Sequence, residues 1–287
     1  MPAIKAACIQ TCTGTQIEAN LDRLNALIDR AVEGGAQWVI TPENCNFMVK
    51  NRAELVAQAS TEEADICVNG FAAKAREHAI WLQAGSFSLQ IKPDICVNRS
   101  ILFAPDGTIS ARYDKIHLFD VALPNGEHYK ESDNHKHGTQ SVLADLPFGR
   151  VGMSVCYDLR FAKLYRALAE AGAQFLTIPS AFTQLTGQAH WHILCRARAI
   201  ETGCYVLAPA QSGVHENGRR TYGHSLIIDP WGQVLADAGT EENTVIYATL
   251  DTEKIAEIRS RLPVLEHGRD SCYNQPQMVQ NKVQTND

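Results

Sequence analysis

The sequence predicts an α/β protein, and three observations carry that prediction. Strand-like segments, either alternating in polarity or apolar throughout, recur between helical segments with one apolar stripe. No composition shift, linker or internal repeat divides the chain, so residues 1–270 are expected to form one domain and 271–287 a polar tail. At 287 residues, 45% of them hydrophobic, there is ample material for a large core.

The elements follow in order. Residues 4–10 (IKAACIQ) read as a first strand, and 20–32 as a helix with Leu21, Leu24, Leu27, Ile28 and Ala31 on one stripe, ended by Gly34-Gly35. Residues 36–40 are a buried strand that delivers Thr41-Pro42-Glu43-Asn44 at its carboxyl end, where α/β folds build sites. Pro42 has no N–H for a ladder, so Glu43 is expected in a loop. Residues 64–78 are helical and 81–87 a strand; 94–103 and 108–114 form a hairpin about Pro105-Asp106-Gly107, running out into Lys115-Ile-His-Leu118. Residues 119–138 are polar and irregular, as a loop over a binding site would be. Strands resume at 140–146 and 151–156, and 158–169 reads as helix. After it come a strand at 172–179, a helix at 187–201, and strands at 204–208 and 223–229. Pro230-Trp-Gly-Gln233 turns into 234–236; a strand at 244–250 and a helix at 252–260 follow.

Several function classes lose support. A net charge of −6 and an isoelectric point near 5.9 argue against nucleic acid and anionic membranes as partners. No apolar run approaches ~20 residues, and the first ten residues turn polar too soon for a signal peptide. The nine cysteines include no Cys-x-x-Cys pair, which points to a reducing cytoplasm. His135-x-His137 and His190-x-His192 have no cysteine or carboxylate at ligand spacing, so neither a metal nor any other cofactor is expected. The phosphate loops Gly-x-Gly-x-x-Gly and Gly-x-x-x-x-Gly-Lys-Ser/Thr are missing, as is Gly-x-Ser-x-Gly.

Three residues end apolar strands with ionisable groups. Cys156 would sit at a strand-to-helix junction, where unpaired N–H groups and the helix dipole lower a thiol pKa; alternatively it packs as a small hydrophobe. Glu43 is either a solvated loop residue or an acid/base tuned by desolvation. Lys115 either lies on the surface or points into the same site.

Pro42-Glu43, Lys115-Ile-His-Leu118 and Cys156-Tyr-Asp-Leu-Arg160 together resemble the nitrilase superfamily of carbon–nitrogen hydrolases, whose Glu-Lys-Cys triad runs in that chain order. The resemblance spans roughly Ile4 to Tyr273 and implies a four-layer α-β-β-α sandwich, a homodimer or higher homo-oligomer, and a small-molecule amide substrate. Pro179-Ser-Ala-Phe182, Thr186-Gly-Gln-Ala-His-Trp191, Arg196 to Thr202, Gln211-Ser-Gly213 and Tyr222-Gly-His-Ser225 resemble the Nit branch. Asp229-Pro-Trp-Gly232 and Leu262-Pro-Val264 add to this. Ala162-Lys163 stands where the family often has Pro-Glu.

The resemblance implies a thiol amidase: Cys156 as nucleophile, Glu43 as acid/base, Lys115 as electrostatic support for thiolate and oxyanion, and Glu131, rather than Glu127, orienting Lys115. Within the Nit branch the implied substrate is deaminated glutathione, cleaved to 2-oxoglutarate and cysteinylglycine. An ω-amidase acting on 2-oxoglutaramate-type amides is the alternative in the same class, and a catalytically inert scaffold the one outside it. Tyr157, Arg160 and Thr183 adjoin the triad segments and are the candidates for binding substrate carboxylates; Arg160 could equally form a structural ion pair. His190 and Trp191 either shape the pocket or pack their helix. The 211–220 loop, with Arg219-Arg220, either meets a dipeptide leaving group or is an ordinary solvated hairpin.

Overall fold

The computed structural model describes residues 3–269, so the expected polar tail lies outside the described residues. The chain opens with β1 (Ile4–Gln10), α1 (Ile17–Glu33) and β2 (Trp38–Ile40). Two helices follow, α2 (Arg52–Gln58) and α3 (Ile66–His78), then β3 (Trp81–Lys92), β4 (Ile95–Phe103) and β5 (Ile109–Asp114). A small hairpin of β6 (Asp120–Ala122) and β7 (His128–Lys130) leads to β8 (Val142–Leu146) and β9 (Gly149–Met153). Next come α4 (Ala162–Glu170), β10 (Phe175–Thr177), α5 (Gln184–Thr202) and β11 (Tyr205–Ala208). A second hairpin, β12 (Ser212–Val214) and β13 (Arg220–Tyr222), precedes β14 (Leu226–Ile228), β15 (Val234–Asp237), β16 (Thr244–Leu250) and α6 (Thr252–Arg261).

Two six-stranded sheets result, in the orders β16-β1-β2-β3-β4-β5 and β15-β14-β11-β10-β9-β8. Strand alternation explains how they stack. In β1, Ala6 and Cys8 face the core shared with the second sheet, whereas Ala7 and Ile9 face the core under α1 and α3. Trp38 and Ile40 of β2 point to the shared core and Val39 away from it. On the far side, Leu164 and Leu168 of α4 and Trp191, Cys195 and Ala199 of α5 close over β9, β10 and β11. The outcome is the α-β-β-α sandwich, with the central strands β1, β2, β9, β10 and β11 buried on both faces and the edge strands β5 and β15 alternately exposed.

Two expectations change. The helix expected over 158–169 is broken: Cys156–Arg160 is a single 3₁₀ turn, and α4 starts only after Phe161, whose φ of −106° and ψ of 82° leave the helical region. The cause is the Asp158 carboxylate, which turns back to accept from the Val155 N–H (2.9 Å), while the Phe161 ring stacks on His117 at 3.5 Å. The second change concerns α2 (Arg52–Gln58), a helix that hydrophobic periodicity did not reveal. Its sign is local: Asn51 accepts from the Glu54 N–H and donates to the Glu54 carboxylate, a reciprocal cap.

Candidate active site

Glu43, Lys115 and Cys156 arrive from three loops at the carboxyl ends of β2, β5 and β9. The Glu43 loop lies directly on β3: a side chain at Gly85 would run into the Thr41 carbonyl at 1.9 Å, so only glycine permits the approach. There Thr41 Oγ1 accepts from the Gly85 N–H (3.0 Å), and the Ser86 N–H donates to the Pro42 carbonyl. Lys115 is held by its N–H to the Asn98 carbonyl and by its carbonyl to the Gly138 N–H. Cys156 takes the left-handed conformation, φ +50°, with its N–H tied to the Pro179 carbonyl at 2.9 Å. That tight turn lifts its thiol out of the strand direction.

The side chains converge. Lys115 Nζ lies 2.8 Å from Glu43 Oε1 and 2.8 Å from Glu131 Oε2. Asn98, which no motif singles out, donates to Glu43 Oε1 (3.0 Å) and to Glu131 Oε1 (3.1 Å). Glu43 Oε2 accepts from the Ala181 N–H at 2.8 Å, and Glu131 Oε2 from the Phe119 N–H at 2.7 Å. The Cys156 thiol lines the same cavity as Glu43 and Lys115. Glu43, Lys115 and Cys156 are each no more than 5% exposed, and a buried ion cluster is tolerable only because its oxygens are satisfied in this way. Glu127, by contrast, is exposed and bonds only to its own turn, through Asn125 and Tyr129, among the contacts described.

Charge decides the protonation states. Two carboxylates around one ammonium sum to about −1, so a thiolate would raise the negative excess. Burial and the Glu43 carboxylate push the Cys156 thiol well up, and Lys115 only partly offsets them. This corrects the helix-dipole expectation: the turn is too short to act as a helix, and desolvation prevails. Burial alone would pull Lys115 down, but Glu131 and Glu43 hold the ammonium well above its ordinary value. Glu131 in turn is raised by burial but lowered further by Lys115 and His135, and stays ionised. The resting site is therefore a neutral thiol beside a lysine–carboxylate cluster.

The cluster floors a cavity of about 570 Å³. Phe47, Phe119, Tyr129, Tyr157 and Phe182 wall it, and Lys50, His128, Lys130, Asn217, Arg219 and Arg220 lie toward its rim. The irregular 119–138 stretch thus reaches the site, as expected, although it carries its own short hairpin. Tyr157 and Thr183 line the cavity, but the Thr183 hydroxyl is engaged in capping α5, 2.8 Å from Thr186 Oγ1. Arg160 does not line it. Its guanidinium lies over the rings of Tyr157 (5.8 Å) and Phe182 (5.4 Å) and reaches His190, so it sits behind the wall. Trp191 packs on Phe182 and donates to the His224 carbonyl. No trio of metal-binding side chains among the described residues falls on this cavity.

The family model for carbon–nitrogen hydrolases matches residues 5–260. The chain is 41% identical to a deaminated glutathione amidase of Synechocystis over 91% of this chain and 97% of the relative. It is 38% identical to one of Yersinia enterocolitica, over 94% of each. The crystal structure of Nit3 from Saccharomyces cerevisiae, a member of branch 10 of the nitrilase superfamily, superposes with a TM-score of 0.82 at 31% identity, covering 91% of this chain and 95% of that one. The chain belongs to the carbon–nitrogen hydrolases of the nitrilase superfamily, enzymes that cleave carbon–nitrogen bonds other than peptide bonds.

Proposed function

We propose that this hydrolase cleaves the amide bond of deaminated glutathione, releasing cysteinylglycine and 2-oxoglutarate through a thioester on Cys156. The observation that carries the reading is the Glu43–Lys115–Glu131 cluster against Cys156 at the floor of a cation-rimmed cavity, in a chain 38–41% identical to amidases of that name.

Each residue has a step that its environment suits. The thiol is protonated at rest, so Glu43 must take the proton as Sγ attacks the amide carbonyl. The same carboxyl then gives that proton to the departing amine as the C–N bond breaks. In the second half it accepts a proton from water, which attacks the thioester and restores the thiol. Lys115 remains charged throughout, so it stabilises the thiolate and the oxyanion rather than moving protons. The Tyr157 N–H is the second oxyanion donor, a type of contact worth ~2.7–4 kcal/mol of barrier. Glu131 and Asn98 keep Lys115 and Glu43 aligned. Tyr157 and Thr183 contribute cavity wall to the substrate, and Arg160 supports that wall from behind.

The rim favours this substrate over a smaller amide. Deaminated glutathione is a dianion that extends beyond the scissile bond, and Lys50, Lys130, Arg219 and Arg220 offer positive charge there. An ω-amidase that expels only ammonia has no need of such a mouth. The eight described cysteines are all free, which supports a reducing, cytoplasmic home. The outward face of α5 supports a homodimer: Leu185, Ile193 and Ile200 are exposed there beside Trp231.

The deciding experiment compares turnover of deaminated glutathione with that of 2-oxoglutaramate. A higher kcat/KM for deaminated glutathione is expected. Preference for 2-oxoglutaramate would make the enzyme an ω-amidase, and no turnover of either with an unreactive Cys156 would leave an inert scaffold.

A further inference from the structure

Away from the cavity, three side chains that are distant in sequence meet at the edge of the second sheet. His192 comes from α5, His224 from the turn before β14, and Asp237 from the end of β15. One ligand atom from each lies within 4.8 Å of the other two. Asp237 Oδ2 is 3.0 Å from His192 Nε2 and 3.2 Å from His224 Nδ1. None of the three lines the catalytic cavity.

We propose that His192, His224 and Asp237 bind a divalent first-row transition cation of the zinc type. Ligands about 2.0–2.1 Å from a tetrahedral Zn²⁺ stand ~3.3 Å from one another, so the two measured edges need to open by only a few tenths of an ångström. Two neutral imidazoles and one carboxylate carry a charge of −1 and suit Zn²⁺ or Co²⁺; Ca²⁺ and Mg²⁺ prefer all-oxygen shells. Among the described residues, the ion-pair partners of Asp237 are these two imidazoles, and no lysine or arginine occupies the carboxylate.

The trio is also held in place. The His224 backbone is fixed at φ +55° by its N–H to the Gly239 carbonyl and by its carbonyl to Trp191 Nε1 at 2.7 Å. Its ring stacks on Tyr222 at 4.5 Å, and the His192 ring stands edge-on to it at 4.9 Å. Asp237 Oδ1 accepts from the Gly239 N–H at 2.8 Å and lies 2.9 Å from His224 Nδ1, so the carboxylate is held between the two imidazoles. Such outer contacts are what orients ligands before an ion arrives. On binding, the protons on His192 Nε2 and His224 Nδ1 move through solvent to the opposite ring nitrogens, and the two freed lone pairs take the cation. Water fills the remaining positions on the open side.

Spacing along the chain does not reveal this site. His190-x-His192 has no carboxylate nearby in sequence, and it is the fold that brings Asp237 to it, 45 residues later.

The test is titration of the full-length protein with Zn²⁺ alone and with Co²⁺ alone, by calorimetry and visible absorption. One equivalent should bind, and Co²⁺ should show the d–d bands of a nitrogen/oxygen shell without a thiolate charge-transfer band. His224→Ala should weaken binding by more than about 100-fold, since losing even an outer-shell partner costs 10–100-fold. Asp237→Asn keeps the shape and should weaken it in the same direction, with thermal melting reporting that each variant is folded. The proposal is overturned if the wild type binds no stoichiometric ion, if both variants bind as the wild type does, or if the Co²⁺ spectrum is that of a thiolate. Any of these would leave the trio a hydrogen-bonded clamp between α5 and β15. Hydrolysis is not needed for the readout, so failure here is separate from failure of the amidase reading.

Discussion

Cys156 carries a neutral thiol, because burial and the Glu43 carboxylate outweigh the charge of Lys115. Its position at the end of an apolar strand was legible from the alternation of Val151, Met153 and Val155; its protonation state was not, because that depends on Glu43 from a strand more than a hundred residues earlier. A thiol held neutral makes its base indispensable. Cys156→Ser should abolish turnover with the fold intact, although eight other cysteines remain in the chain. Glu43→Gln should slow both acylation and thioester hydrolysis, so the covalent intermediate seen by mass spectrometry should not decay at the wild-type rate; wild-type steady-state rates in either variant would sink the assignment. Asp158 is the second residue that pattern alone did not mark. Fully buried, it accepts from the Val155 N–H, Tyr113 Oη (2.6 Å) and His117 Nδ1 (2.6 Å), and so ties the Cys156 turn to the segment that carries Lys115. Asp158→Asn puts a donor where donors already point, at a cost of about 1–3 kcal/mol per unsatisfied group. Its expected signature is a lower kcat with KM little changed, and a Cys156 alkylation rate whose pH profile shifts. A variant that only melts earlier, with both profiles unchanged, would show Asp158 to be structural.

At the scale of elements, long periodic segments were legible and short ones were set by tertiary contacts. The α1 stripe of Leu24, Leu27, Ile28 and Ala31 is buried as its spacing predicts, and the hairpin about Pro105-Asp106-Gly107 forms between β4 and β5. The 3₁₀ turn at 156–160 could not be read as such, since the interruption comes from His117 and Val155 gripping Asp158 rather than from a proline or glycine. Adjacency to Cys156 in sequence points Arg160 toward the site, yet a turn separates the directions of neighbouring side chains, and its guanidinium lies over the Tyr157 ring instead. The 211–220 loop is a hairpin and reaches the cavity as well: Arg219 lies over the Tyr129 ring at 5.1 Å and donates to the Ala181 carbonyl, one peptide beyond the Ala181 N–H that holds Glu43. Replacing Arg219 and Arg220 with alanine should raise KM for deaminated glutathione more than for 2-oxoglutaramate, because only the former carries a carboxylate on its leaving group. Losing one charge-assisted contact is worth about 1.5–3 kcal/mol, or roughly ten- to hundredfold in KM. Equal changes for both substrates would show that this hairpin does not read the leaving group.

For the whole molecule, the layer arrangement follows from which strand faces are apolar, but the pairing of the two sheets is non-local, and composition alone could not supply it. Trp38 from the first sheet packs on Phe148 from the turn between β8 and β9 and on Phe175 from the second sheet, with ring centroids 5.6 and 5.8 Å away. What the two sheets leave unfinished is the outside of α5. A helix covering a sheet should present polar residues to water, yet Ile193 is 69% exposed and Trp231, on the adjoining turn, 62%. Leu185, Ile193 and Ile200 fall within one broad face at 100° per residue, and Ile200 lies against Gly232, which follows Trp231. Two copies that paired through such a face would meet across a twofold axis, and a stable pair needs at least ~1,000 Å² in total. The same helix begins at the cap formed by Thr183 and Thr186, both on the cavity wall, so pairing along α5 also braces the site. Ile193→Asp puts a charge on the most exposed apolar residue of that face without touching the cavity. Sedimentation velocity at micromolar concentration should show the wild type as a dimer and this variant as a monomer with a raised KM. A variant that sediments with the wild type would place the subunit contact on another face, and a monomeric wild type would remove the pairing altogether.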